Sequence, residues 1–143
     1  MFPEPTEDPG LLSPLALAFL GDAVYELLLR EKYVKQANRP AGVLHALCAK
    51  SACAGAQAQA LRQLVKVLTE EETEICKRGR NASPCHKPKG ASHADYHAAT
   101  GLETLFGWLY LKGDIARLRE LFELICNEEN RAQQKPRIQF YGD

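Results

Sequence analysis

The sequence predicts an all-helical fold of one domain, and three observations support this prediction. Valine, isoleucine and threonine together number only 14 of 143 residues and never stand next to each other, whereas strands usually need runs of such residues. Helix-starting patterns recur along the whole chain. Only one stretch, from Gly79 to Ala91, is rich enough in Gly, Pro, Asn and Ser to predict a sizeable loop.

Three helices are predicted in the first half of the chain. Ser13 followed by Pro14 is typical of an N-cap and a first helical residue, and opens a helix through LALAFLGDAVYELLLREKYV. Pro40 restarts the chain after a short loop and precedes a helix through VLHALCAK. The next stretch, SACAGAQAQALRQLVKVL, alternates alanine as a strand might. Because alanine and glutamine favour helices, we predict a helix with a closely packed face there.

Three more helices are predicted in the second half. Capping-box patterns at Thr69–Glu72 and Ser92–Asp95 start the fourth and fifth helices. The fourth helix is expected to end near Arg78. Asp114 caps the sixth, which is expected to end near Asn127. The predicted domain therefore spans residues 1–143, with a core over about 12–127 and a polar tail over 128–143.

Composition points to a cytoplasmic protein. No apolar stretch reaches the roughly 18 residues that a membrane span needs, and the acidic, proline-rich start MFPEPTEDPG does not resemble a secretory signal. Five cysteines form an odd set without framework-like spacing, which favours reduced thiols. The 18 basic residues balance the 18 acidic ones, so a general affinity for polyanions is not expected.

The balanced charge conceals one basic stretch. The sequence KRGRNASPCHKPK, over residues 77–89, contains no acid and carries five basic residues: Lys77, Arg78, Arg80, Lys87 and Lys89. Such a stretch is either a solvated basic loop or a contact surface for phosphates.

Two acids stand in otherwise apolar helices. Asp22 interrupts LALAFLGDAVYELLL, and Glu103 interrupts GLETLFGWLYL. An ionised carboxylate in apolar surroundings is costly unless it is paired or metal-bound, and a hard cation such as Mg²⁺ binds through one or two such oxygens plus water. The alternative is that each acid is exposed or pairs with a lysine or arginine. Tyr96 and His97, one to two turns before Glu103, either approach a substrate or pack at the helix start.

These two acidic stretches resemble motifs of one enzyme family. LAFLGDAVYELLL is similar to the signature stretch of the ribonuclease III family, and ATGLETLFGWLYLKGD is similar to its second acidic motif. RGRN, at residues 78–81, resembles the compact bacterial branch called Mini-ribonuclease III. The resemblance covers residues 12–127 approximately, nearly the whole chain.

The resemblance implies a homodimeric endoribonuclease that cleaves double-stranded RNA to 5′-phosphate products. Asp22 and Glu103 would be its catalytic, Mg²⁺-binding carboxylates, with Mn²⁺ as a substitute, and Phe19 would pack across the dimer interface. Full-length relatives carry two further acids where this sequence has Ala18 and Thr100. The compact branch also lacks both, so activity is still expected, but the number of metal ions stays open. The implied substrate is the large-subunit (23S) ribosomal RNA precursor, so rRNA processing in ribosome biogenesis is the expected role.

The basic stretch is the expected RNA-binding element. We expect no double-stranded-RNA-binding domain after the last helix, so the catalytic domain itself must hold the duplex, chiefly through phosphates and 2′-hydroxyls. The predicted contacts are Arg78, Arg80, Asn81, Lys87 and Lys89, with the arginines suited to bidentate phosphate binding.

Two other functions compete with this hypothesis. A ribonuclease III-like domain could bind RNA without cleaving it, although the presence of both acids speaks against this. A helical protein-interaction module could instead hold structural zinc at a set of cysteines and histidines whose spacing fits no short zinc knuckle: Cys76, Cys85, His86, His93 and His97.

Overall fold

The computed structural model describes residues 8–83 and 92–134, with side chains as far as Arg131. Within these ranges the chain forms a short 3-10 turn and six α-helices, and no strand, so the all-α prediction is confirmed. The turn is Pro9–Leu11, and the helices are α1 (Pro14–Gln36), α2 (Ala41–Ala52), α3 (Ala54–Leu64), α4 (Glu70–Ala82), α5 (His93–Lys112) and α6 (Ile115–Gln134).

Helix α5 lies at the centre of the molecule. It packs against α1, α3, α4 and α6, and its contact with α1 is the most extensive in the fold. Aromatic side chains mark the core: the ring of Tyr25 lies 5.3 Å from that of Phe106 and 5.9 Å, edge-on, from that of Phe122. The apolar character of the predicted first and fifth helices is therefore explained by their mutual burial.

The predicted helix starts are confirmed at the level of hydrogen bonds. Ser13, Thr69, Ser92 and Asp114 each accept a hydrogen bond at their side-chain oxygen from the backbone N–H three residues later. Only the Thr69 site forms both halves of a capping box. These caps follow from local sequence, because a short polar side chain satisfies an orphan N–H of the first turn.

Three predicted helix ends were wrong. The third helix, predicted to run through Leu68, ends at Leu64. Helix α4 does not end near Arg78 but continues to Ala82. Gly79 lies inside it, and residue 79 is a glycine because a side chain there would collide with the hydroxyl of Thr104 on α5. Helix α6 continues past Asn127 to Gln134, where Glu129 lies 3.3 Å from the ammonium of Lys32 on α1. The loop predicted over Gly79–Ala91 is therefore shorter, and its residues 84–91 lie outside the described ranges.

Within the described ranges, none of the helices has the length and apolar character that crossing a membrane requires.

Candidate active site

The crossing of α1 and α5 brings Asp22 and Glu103 together. At the crossing the backbones touch: a Cβ added to Gly21 would collide with the carbonyl oxygen of Glu103, and one added to Gly107 would collide with that of Leu17. Because Gly21 directly precedes Asp22, the two acids are placed by backbone packing rather than by long side chains. Sequence reasoning missed this role, although a glycine inside each apolar helix was a visible signal.

An open cavity of about 320 Å³ contains both acids. Ala18 and Thr100, the two positions at which full-length ribonuclease III proteins carry further acids, line the same cavity. The Thr100 hydroxyl donates to the carbonyl oxygen of Tyr96 at 3.0 Å, so it is already committed to the backbone. Among the residues that the structure describes, the lining consists of Leu15, Ala18, Phe19, Asp22, Ala52, Ala54, Gln57, Tyr96, Ala99, Thr100 and Glu103.

The two carboxylates differ in their surroundings. Asp22 is exposed and Glu103 is partly buried. Burial raises the pKa of Glu103 to about 7, with the negative charge of Asp22 adding to the rise and hydrogen bonding from Gln57 opposing it. A cation beside the pair would offset both the burial cost and the mutual repulsion, so the electrostatics fit a metal site.

The oxygen donors present also fit a hard cation better than zinc. In the part of the chain that the structure describes, no three His, Cys, Asp or Glu side chains come together. Two carboxylates completed by water and phosphate suit Mg²⁺, whereas structural zinc takes four protein ligands. Of the proposed zinc ligands, Cys76 is buried in the core, His93 and His97 stack on each other at 6.3 Å, and residues 85 and 86 lie outside the described ranges.

Gln57 on α3 is a cavity residue that the sequence analysis did not identify. Its side chain is buried, and its Nε2 donates to the carbonyl oxygen of Ala52 at 3.0 Å. A signal was available: Gln57 lies one and two turns before Leu61 and Leu64, on the side of α3 that faces the core. Tyr96, by contrast, was singled out from the sequence and does line the cavity.

The predicted RNA-binding residues fall into three groups. Arg78 lies in α4 and donates to the carbonyl oxygen of Gly10 at 2.9 Å, so it ties α4 to the first turn of the structure. Arg80 and Asn81 are exposed on the last turn of α4, and the aliphatic stem of Arg80 packs against Gly101 on α5. Residues 87 and 89, the two predicted lysine contacts, lie outside the described ranges.

The C-terminal end of α4 also touches the cavity wall. The hydroxyl oxygens of Ser83 and Thr100 lie 3.3 Å apart, and Thr100 lines the cavity. Ser83, the last described residue of the basic stretch, therefore lies against the cavity wall.

An apolar strip is exposed at the cavity edge. Phe19, which lines the cavity, has 85% of its surface exposed in the monomer. Leu11, Leu12 and Leu15, in the preceding turns, are exposed as well. A strip of this kind is unusual on a monomer unless it serves an interface.

Comparison with known proteins identifies the family. The ribonuclease III domain matches residues 15–114, a range that includes both cavity acids. The chain belongs to the ribonuclease III family. The two acidic motifs and RGRN predicted a similarity to the compact Mini-ribonuclease III branch. Several relatives of that name confirm this prediction.

Relatives of this ribonuclease III chain match most of its length. The Mini-ribonuclease 3 of Thermoanaerobacter sp. (strain X514) is 47% identical over 113 residues, which cover 79% of this chain and 80% of that protein. The Mini-ribonuclease 3 of Symbiobacterium thermophilum is 40% identical over 126 residues, covering 88% and 97%. The crystal structure of protein FN1578 from Fusobacterium nucleatum matches with a TM-score of 0.78 at 28% identity, covering 87% of this chain and 99% of that one.

Proposed function

We propose that this ribonuclease III domain is a Mg²⁺-dependent endoribonuclease that cuts double-stranded RNA as a homodimer, leaving 5′-phosphate ends. The observation that carries the proposal is the shared cavity of Asp22 and Glu103, two acids from apolar helices that meet where α1 crosses α5. Membership of the ribonuclease III family supports phosphodiester cleavage as the chemistry of that cavity.

Asp22 and Glu103 would hold the cation, with Mn²⁺ as a possible substitute for Mg²⁺. A divalent ion in such a site supplies Lewis-acid activation of water and charge stabilisation at the phosphate. The chain's own contribution is to fix two carboxylates on rigid helices and to bury one of them partly, which strengthens its attraction for a cation.

The RNA duplex would lie across the cavity and the end of α4. Arg80 and Asn81 are exposed on the last turn of α4, whose end at Ser83 contacts the cavity wall, and Lys87 and Lys89 follow within six residues in the sequence. Positive side chains at this place can contact phosphates on either side of the scissile bond. Arg78 would contribute mainly by holding α4 in position, since its guanidinium donates to the carbonyl oxygen of Gly10.

The homodimer would form through the exposed strip around Phe19. Because Phe19 also lines the cavity, dimerisation would complete one wall of each active site. Two sites related by symmetry could then cut both strands of a duplex. As a natural substrate we propose the duplex stalk of the large-subunit (23S) ribosomal RNA precursor in the cytoplasm.

Cleavage of a long RNA duplex with and without Mg²⁺ tests the proposal. Asp22→Asn and Glu103→Gln keep size and hydrogen-bonding capacity but remove the charge that a hard cation needs, so each should abolish most cleavage. Glu26→Gln is the matched control, because Glu26 lies one turn after Asp22 but pairs with Arg30 at 2.9 Å and does not line the cavity.

Duplex binding and thermal stability, measured on the same three variants, separate a metal ligand from a structural acid. A metal ligand predicts lost cleavage with binding and folding retained. Near-parental cleavage by Asp22→Asn would show that the proposed chemistry is wrong.

A further inference from the structure

Gln57 occupies a core position of α3 although its side chain is polar. It is 2% exposed, and it shares the buried side of α3 with Leu61 and Leu64. An amphipathic helix normally has apolar residues at such positions. Burying an amide has a desolvation cost unless both ends of the amide are hydrogen-bonded.

Only one end of this amide is hydrogen-bonded within the protein. Its Nε2 donates to the carbonyl oxygen of Ala52 at 3.0 Å, whereas its buried Oε1 has no partner among the described residues. An unpartnered buried polar atom destabilises the folded state, because it has lost its hydrogen bonds to water. Stability alone would therefore favour an apolar residue of similar size at this position.

The place of Gln57 supplies a functional reason for the amide. Gln57 lines the same cavity as Asp22 and Glu103, and the approach of its amide to the Glu103 carboxyl opposes the rise in the pKa of that group. An amide nitrogen carries two hydrogens, so one can hold the Ala52 carbonyl while the other faces the carboxylate. The bond to Ala52 fixes the orientation of the amide in the cavity.

We propose that Gln57 is a positioning residue of the metal site: anchored on the Ala52 carbonyl, its amide holds the Glu103 carboxylate in the orientation that binds the cation. This inference rests on the proposed function, because it takes Glu103 as a metal ligand. Partners that orient a ligating side chain typically change metal affinity by 10–100-fold when they are removed. With Ala18 and Thr100 in place of acids, Glu103 has few other groups in the cavity that could orient it.

The test is the Mn²⁺ affinity of Gln57→Met, measured by calorimetry without RNA. Methionine has a similar length but no amide. The matched control is Gln63→Met, because Gln63 lies on the same helix and also has a buried, unpartnered Oε1, but lines a different groove. We expect Gln57→Met to bind Mn²⁺ at least about tenfold more weakly, with a free energy of unfolding equal to or above the parent's. Gln63→Met should keep the parent's affinity.

Three outcomes would overturn the inference: parental Mn²⁺ affinity in Gln57→Met, an equal loss in both variants, or failure of Gln57→Met to fold, which would make Gln57 a structural residue. A Mn²⁺ titration of Glu103→Gln in the same experiment distinguishes a failure of this inference from a failure of the proposed function. If Glu103→Gln keeps parental Mn²⁺ affinity, the metal site itself is wrong. If only Gln57→Met keeps it, the site stands and the positioning role fails.

Discussion

Replacing Glu103 by glutamine should make the metal-free protein more stable at alkaline pH. The carboxylate is partly buried beside the negative charge of Asp22, and its pKa is raised from 4.5 to about 7. Between these two values the folded protein keeps a proton on Glu103 that the unfolded chain has released. The free energy of unfolding therefore falls as the pH rises through this window. Above the window the loss is complete, and this group causes no further change with pH. A glutamine does not titrate, so the free energy of unfolding of the Glu103→Gln variant lacks this pH-dependent loss.

The size of the effect follows from the two pKa values. At about 1.4 kcal/mol for each unit of pKa, the rise from 4.5 to about 7 corresponds to about 3 kcal/mol lost by the parent across the window. Because the side chain is only partly buried, solvent screening makes this an upper value. Glu103→Gln should match the parent near pH 4.5 and exceed it by up to about 3 kcal/mol at pH 8.

Urea denaturation in EDTA, at intervals from pH 4.5 to pH 8, measures this difference. Glu26→Gln is again the control and should follow the parent at each pH, because Glu26 is outside the cavity and paired with Arg30. In excess Mg²⁺ at pH 8 the parent should become more stable than Glu103→Gln, since only the parent gains stability from bound metal. A parent whose stability falls no more steeply than that of Glu103→Gln would refute the account of a buried, repelled carboxylate.

The remaining predictions concern the helix crossing, the interface and the basic loop. Gly21→Ala should lower the free energy of unfolding by about 3 kcal/mol. Gly42 has open space around it, so Gly42→Ala should raise the free energy of unfolding by about 0.5–1 kcal/mol. Similar urea denaturation curves for the two variants would contradict the backbone contact at Gly21. Phe19→Ala should convert a species of twice 15.9 kDa into monomer in light scattering, and a parent that is already monomeric at micromolar concentration would rule out the interface. Neutralising Arg80 and the two loop lysines should weaken duplex binding and flatten its salt dependence, so an unchanged slope would exclude phosphate contacts there.

Local sequence signals predicted the helix starts and the fold class well. The caps at Ser13, Thr69, Ser92 and Asp114 depend on a side chain and a backbone N–H three residues apart, so they need no tertiary information. Asp22 and Glu103 stood out for a related reason: a charge in an apolar helix is anomalous wherever that helix packs. The structure places both in one cavity.

Features that depend on a second helix were mispredicted or missed. Glycine is common in loops, so Gly79 predicted a loop. The close approach of Thr104 explains why a glycine stands at this position within α4. The last turns of α6 look like a polar tail until Lys32 is placed opposite Glu129. The spacing of Gln57 from Leu61 and Leu64 marks it as core-facing, but its place in the cavity with Glu103 depends on the packing of α5 against α3.

The glycine contact between α1 and α5 explains how two acids alone can form a defined site. Where helices meet through large side chains, rotamer changes can alter their separation, but at Gly21 and Gly107 the backbone of each helix lies directly against the other. The separation of the Asp22 and Glu103 backbones is then set by the packing of the two most extensively paired helices. In the proposed site the fold restrains the backbones of both ligands, which leaves only the orientation of the side chains to supporting residues such as Gln57. On this reasoning Gly21→Ala should weaken Mn²⁺ binding along with folding, whereas a core substitution remote from the crossing that costs equal stability should leave the affinity unchanged.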